Sequence, residues 1–208
     1  MAKVLLGVTG SVAAILTPAL FRALRQAGHE VKVVATSASL YFFDPAELEG
    51  QGGQRNRAVV ILDEDEWPQR TAGHRWQRGE PVLHIELRRW ADVLLIAPLD
   101  ANTLAKLALG LCDNCLTCVW RAWDRTRPVV VAPAMNTLMW EHPATARHLA
   151  QIADDLGEGS TLCVVPPANK RLACDDVGVG AMASVDEVVS AVQGVLRSSA
   201  HPLLPRSC

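Results

Sequence analysis

Continuous apolar runs rich in valine, isoleucine and leucine punctuate the chain: KVLLGV at 3–8, EVKVVAT at 30–36, ADVLLIAP at 91–98, RPVVVAP at 127–133 and TLCVVPP at 161–167. They do not alternate with polar residues, which marks strands covered on both faces of a parallel sheet. Between them lie segments of helical length and spacing, at 11–28, 101–123, 145–157 and 184–198. Strand and helix in alternation predict an open, doubly wound α/β sheet. Pro18 falls inside the first helical segment, where it is expected to introduce a kink.

Each apolar run ends in a polar exit: TGSV, TSAS, PLDANT, PAMNT and PPANK. In an open parallel sheet the ligand crevice lies outside the carboxyl ends of the strands, and helix N-termini there favour phosphate. Ser11, Asp100 and Asn102 would also serve as ordinary N-caps, but capping accounts for one or two such exits more easily than for all of them. GVTGSV is neither G-x-G-x-x-G nor a P-loop, so a dinucleotide fingerprint is missing and a mononucleotide phosphate held by Ser11 and neighbouring amides stays open. Residues 44–80 break the alternation with glycines and mixed charge, and predict a mobile surface excursion around one small strand, AVVIL. Residues 198–208 predict a disordered tail, leaving a single domain over 1–197.

The formal charge of −2 argues against a nucleic-acid partner. The apolar stretch near the start imitates a leader or membrane span, yet its glycines, Pro18 and hydroxyls fit a buried strand and helix better. Six cysteines with no leader point to a reducing, cytoplasmic setting. Cys112, Cys115 and Cys118 spell C-x2-C-x2-C, but no fourth ligand follows at the spacing a cluster needs. Free core thiols on one helix face are expected, and no metal.

Three polar residues stand among apolar neighbours. His84, in PVLHIEL, sits on a short alternating segment and shares a face with Val82 and Glu86, either satisfied by hydrogen bonds or catalytic. Asn136 follows a strand and a proline, projecting at the crevice or capping the next helix. Cys174, in NKRLACDD, lies between Lys170 and Arg171, which favour a thiolate, and two aspartates, which oppose it.

The segments LHIELRRWADVLLIAPLDANTLAK, PAMNTLMW, KRLAC and GAMA follow one another in this order. On these motifs, from about Lys3 to Val195, the chain resembles the phosphopantothenoylcysteine decarboxylases, a branch of the homo-oligomeric flavin-containing cysteine decarboxylases. The resemblance implies a flavodoxin-like (Rossmann-type) three-layer α/β/α fold, bound FMN, and a homotrimer with active sites between protomers. It makes His84 the active-site base, Asn136 the group that holds the substrate carboxylate, and Cys174 a proton donor. Lys170, Arg171 and Ala173 fall on a flap over the substrate. Gly10, Ser11 and Val12 match a first flavin loop, with Ser37, Ser39 and Phe42 at a second. Asp100, Ala101, Asn102 and Thr103 lie at a third, and Ala134 at a further flavin contact.

The implied reaction converts 4′-phosphopantothenoylcysteine to 4′-phosphopantetheine in coenzyme A biosynthesis. Oxidation of the thiol to a thioaldehyde gives the departing carboxylate an electron sink, and the ene-thiol left behind is then reduced. Two departures from the family pattern stand out: Asp100 where many members have serine, and Asp175 where glycine usually follows the cysteine. The alternative within the family is a flavin-binding, phosphatase-inhibitor-like regulatory subunit. Such relatives carry long acidic tails and lack part of the catalytic set in one chain, whereas His84, Asn136 and Cys174 all occur here. The KRLAC match also disfavours a peptidyl-cysteine decarboxylase or a flavin prenyltransferase.

Overall fold

The apolar runs fold as parallel strands: β1 (Lys3–Val8), β2 (Glu30–Ala35), β4 (Val93–Leu99), β5 (Val129–Pro133) and β6 (Leu162–Val164), joined at one edge by β3 (Val60–Leu62). The computed structural model describes residues 1–48, 54–157, 161–171 and 177–200. The sheet order is β3-β2-β1-β4-β5-β6, every pairing parallel. This is the Rossmann-type order, and without the short β3 it reduces to the flavodoxin-like 2-1-3-4-5. A separate antiparallel hairpin, β7 (Ala168–Arg171) and β8 (Val177–Ala181), follows the sheet.

Side-chain alternation sends successive residues of each strand to opposite faces. Val93, Leu95 and Ala97 join one core with Leu20, Phe21 and Leu24 of α1 (Thr17–Gln26) and Val188 and Val192 of α8 (Val185–Ala200). Leu94 and Ile96 join the other, which draws on four helices: α3 (Leu83–Trp90), α4 (Ala101–Leu109), α5 (Cys115–Arg121) and α7 (Pro143–Leu156). Helices on both faces make three layers. Two short helices complete the chain, α2 (Asp63–Glu66) and α6 (Thr137–Glu141).

Several local expectations are corrected. Pro18 stands in the first turn of α1, after a 3-10 turn at Val12–Leu16, where proline lacks no hydrogen bond and bends nothing. The segment 101–123 is two helices, because Gly110 adopts a left-handed φ of 71° and Asn114 caps a new start. Cys112 therefore lies outside the helix that carries Cys115 and Cys118, and the three thiols do not share a face. His84 is on helix α3, not on an alternating strand: Leu83, Leu87 and Trp90 repeat at helical spacing, and Leu87 and Trp90 are on its packed side. The 44–80 excursion does hold one small strand, but β3 pairs with β2 and its Val60 and Ile61 are buried. Helix α8 runs on to Ala200, into the stretch read as a tail, and residues 201–208 lie outside those described. Among the described residues no helix is long and apolar enough to cross a membrane.

Leu95 is fully buried at the centre of the sheet. Leu95→Ala is expected to lower unfolding free energy by about 2–5 kcal/mol, read from the urea midpoint at unchanged slope.

Candidate functional site

The crevice is built by the loops leaving β1, β2 and β4. Between β1 and β4 the chain leaves toward opposite sides, and the ends diverge. Thr9 ties the two loops together: its hydroxyl donates to the Pro98 carbonyl at 2.8 Å and accepts from the Asp100 N–H at 2.8 Å. Gly10 lets the second loop close in, since a Cβ there would lie 2.7 Å from Ala38 Cβ and 3.1 Å from an Asp100 carboxylate oxygen. The three predicted flavin loops thus meet around residue 10.

Each polar exit is partly committed. Ser11 Oγ accepts from Ala13 N–H at 3.3 Å, and Asp100 Oδ1 caps α4 through Thr103 N–H at 2.6 Å. Ser37 donates both its N–H and its hydroxyl to Asp63 Oδ2, at 2.9 and 2.8 Å. Ser39 is wholly buried and donates to the Thr36 carbonyl at 2.7 Å, so it shapes the loop from inside. Phe42 packs edge-to-face on Tyr41. Val12 is exposed, and Ala101, Asn102 and Thr103 form the first turn of α4. A cavity of about 250 Å³ lies here, lined by Thr36, Ser37, Asp63, Asp100, Asn102 and Lys106 among others. Two atoms of these lining residues, Thr36 Oγ1 and Asp63 Oδ1, are buried without a hydrogen-bond partner.

Past β5, Ala134 is buried and its N–H donates to Leu99 O at 3.0 Å. Asn136 Oδ1 caps α6 by accepting from Leu138 N–H at 2.9 Å, and the neighbouring Thr137 hydroxyl is buried without a partner. The hairpin rests on this loop: Met135 N–H donates to Gly180 O at 2.9 Å, and a Cβ on Gly180 would stand 2.2 Å from Met135 O. Glycine is what lets the two backbones touch. Lys170 and Arg171 lie on β7 opposite Gly178 and Val177. Ala173, Cys174 and Asp175 lie outside the described residues.

His84 comes from the other half of the sheet, and Glu66 holds it twice. One carboxylate oxygen of Glu66 bonds His84 Nδ1 and the other accepts the His84 backbone N–H at 3.1 Å. The Glu66 side chain is only 4 % exposed, against 23 % for His84. Nothing in the acidic run DEDE marks one carboxylate for burial, and its partner is eighteen positions away, so sequence spacing carried no signal for it. Arg55 fixes the run by a fork onto Asp65 at 2.6 and 2.9 Å, with a third bond to Val60 O at 2.7 Å. Burial, then the Glu66 charge, pushes the Cys118 thiol up to about 11 and the Cys115 thiol higher still. Neither is suited to ligate as a thiolate. Among the described residues no group of three or more His, Cys, Asp or Glu is placed to hold a metal. A larger cleft, about 730 Å³, lies inside the excursion, between Trp67, Arg70, Arg75 and Trp76.

The flavoprotein family matches residues 1–197. Phosphopantothenoylcysteine decarboxylases of Arabidopsis thaliana and Mus musculus are 50% and 47% identical, over 96% and 93% of this chain and 87% of each of theirs. The chain belongs to the flavoprotein family and, within it, to the phosphopantothenoylcysteine decarboxylases. Among solved structures, a PPC decarboxylase with serine in place of a cysteine, complexed with pantothenoylaminoethenethiol, superposes with a TM-score of 0.80. It is 49% identical and covers 95% of this chain and 99% of its own. The FMN binding protein AtHal3 matches with a TM-score of 0.76 and 50% identity, over 95% of this chain and 97% of that one. The peptidyl-cysteine decarboxylase EpiD, at 22% identity and a TM-score of 0.67, shares the fold.

Gly180→Ala is expected to lift the hairpin off the Asn136 loop at a cost on the order of 1–3 kcal/mol, seen as faster hydrogen exchange at the Met135 amide. A second expectation concerns acid. Burial raises the Asp65 carboxyl, but the Arg55 fork and Leu62 N–H outweigh it and hold it below the ordinary carboxylate range. Its contribution is therefore present above the unfolded-state value and lost as pH falls through the lower folded value. Arg55→Ala should cost on the order of 1–3 kcal/mol at neutral pH, and the gap to wild type should shrink in urea titrations from about pH 7 to about pH 3.

Proposed function

We propose that the chain catalyses FMN-dependent decarboxylation of 4′-phosphopantothenoylcysteine to 4′-phosphopantetheine, a carboxy-lyase step of coenzyme A biosynthesis. The observation that carries this reading is the 50% identity with the Arabidopsis decarboxylase along 96% of the chain. The fold alone would not carry it, since one scaffold hosts several chemistries.

The crevice suits FMN on its own terms. Gly10 leaves room where the three loops meet, and helix starts at Ser11 and Asp100 turn N–H groups toward the strand ends. Thr36 Oγ1 offers an uncommitted hydroxyl and Asp63 Oδ1 an uncommitted acceptor, the pair a polyhydroxyl chain needs. Carboxylates at Asp63 and Asp100 suit hydroxyl donors, and the backbone amides of Gly10, Ser11 and Val12 would hold the phosphate. Ser37, Phe42, Ala101, Asn102, Thr103 and Ala134 complete the set, with Ser39 supporting its loop from inside. When bound, the flavin supplies a two-electron sink and source.

In this reading the protein orients substrate and moves protons. Asn136 presents an amide to the substrate carboxylate while its oxygen caps α6. His84, backed by Glu66, takes the proton whose removal opens the route to decarboxylation. Cys174 returns a proton to carbon, and Lys170, Arg171 and Ala173 close over the substrate. The cysteine-to-serine enzyme bound to an ene-thiol supports a thiol acting after carbon dioxide has left. His84 and Asn136 rise from opposite halves of the sheet, and large apolar residues stand exposed near the crevice, Tyr41 at 88% and Leu138 at 77%. Both features suit a homo-oligomer with sites completed between copies; the trimer and the cytoplasmic setting rest on the family resemblance alone.

Purified protein is expected to be yellow and to release carbon dioxide from 4′-phosphopantothenoylcysteine, followed by product mass. Cys174→Ser should yield a product lighter by two hydrogens. Full-mass phosphopantetheine from that variant would remove Cys174 from the reaction, and a colourless protein unable to take up FMN would sink the reading.

A further inference from the structure

Glu66 is the most deeply buried carboxylate among the described residues, and no step above uses it directly. It sits at the end of α2 with both oxygens turned to the first turn of α3. One accepts the His84 backbone N–H at 3.1 Å, and the other faces Nδ1 of the same residue. Near it lie Asp63 on its own helix and Cys115 and Cys118 on α5, and Arg70, His74, Arg75 and Glu80 line the same cleft as Glu66. The charge of Glu66 helps push the Cys115 thiol up, so the two lie close together. Backbone amide and ring nitrogen of one residue therefore converge on one carboxylate, and the amide can only donate to it.

We propose that Glu66 is the positioning residue for His84, holding the neutral imidazole with its proton on Nδ1 so that Nε2 is left as the proton acceptor. An ionised carboxylate accepts and does not donate. Nδ1 facing it must carry the hydrogen, and the second nitrogen is then bare. The simultaneous bond to the His84 backbone fixes where the ring starts, so the carboxylate sets both tautomer and direction. The pattern is the carboxylate–histidine pair of hydrolytic triads, reached here by a different chain order and fold. A merely structural Glu66 would need only the backbone bond, as an N-terminal cap of α3. The second oxygen on the ring is what a cap does not require. The inference rests on the reading of His84 as the base.

Glu66→Gln separates the two roles. If the amide oxygen keeps the His84 backbone N–H, the amide NH₂ then faces Nδ1 and drives the proton to Nε2. The structural bond survives and the acceptor is lost. In FMN-loaded protein labelled with ¹⁵N-histidine, wild-type His84 is expected to show a protonated Nδ1 and a bare Nε2, and Glu66→Gln the reverse. kcat should fall about a hundred- to ten-thousand-fold with KM and flavin content little changed. The double variant His84→Ala/Glu66→Gln should be no slower than His84→Ala. A wild-type His84 protonated on Nε2 would overturn the proposal, and that measurement needs no variant to fold. So would an unchanged tautomer in Glu66→Gln, or a double variant slower than His84→Ala by the full Glu66→Gln factor. If wild type released no carbon dioxide, the substrate reading would fall while the ¹⁵N spectra still decided whether Glu66 sets the ring.

Discussion

β1 and β4 lie side by side, yet the chain leaves their ends toward opposite faces, and everything at the crevice depends on that divergence. Two parallel strands covered on both sides leave few places for polar chemistry except their ends. The Thr9 hydroxyl spans the divergence, accepting from Asp100 and donating to Pro98. One buried threonine thus fixes the distance between two loops that a ligand must bridge. Gly10 brings the loop after β2 into the same neighbourhood. The crevice is a product of backbone approach more than of side-chain reach.

The second half of the site is organised by charge. Arg55 pins Asp65, which turns Glu66 inward, and Glu66 grips His84. A buried carboxylate is tolerated because donors surround it, and the same donors dictate which nitrogen of the histidine is free. The chain 54–66 acts as a strut for a residue well beyond it in sequence. The acidic run DEDE, which reads as a solvated surface, commits three side chains to the fold, Asp63 to Ser37, Asp65 to Arg55 and Glu66 to His84.

Much of the architecture was legible because buried parallel strands cannot hide: the runs at 3–8, 30–36, 91–98, 127–133 and 161–167 are each a strand. The polar exits followed from strand ends alone. What stayed illegible depended on local competition or on distance. Gly110 outweighed helical periodicity within 101–123, and the helical spacing of Leu83, Leu87 and Trp90 was masked by the short alternation around His84. Glu66 was invisible because its meaning comes from a residue on another helix. Ser39, read as a cofactor contact, spends its hydroxyl on Thr36, a choice that only the folded loop reveals. Cys174, singled out by the KRLAC motif, lies outside the described residues.

The bare contact at Gly180 has a mechanical corollary. The hairpin meets the loop before Asn136 through main-chain atoms, Met135 N–H against Gly180 O, with no side chain in between to act as a cushion. A tilt of that loop would reach the hairpin with little slack, as a rocker moves about its pivot. Loop and hairpin would then shift as one body.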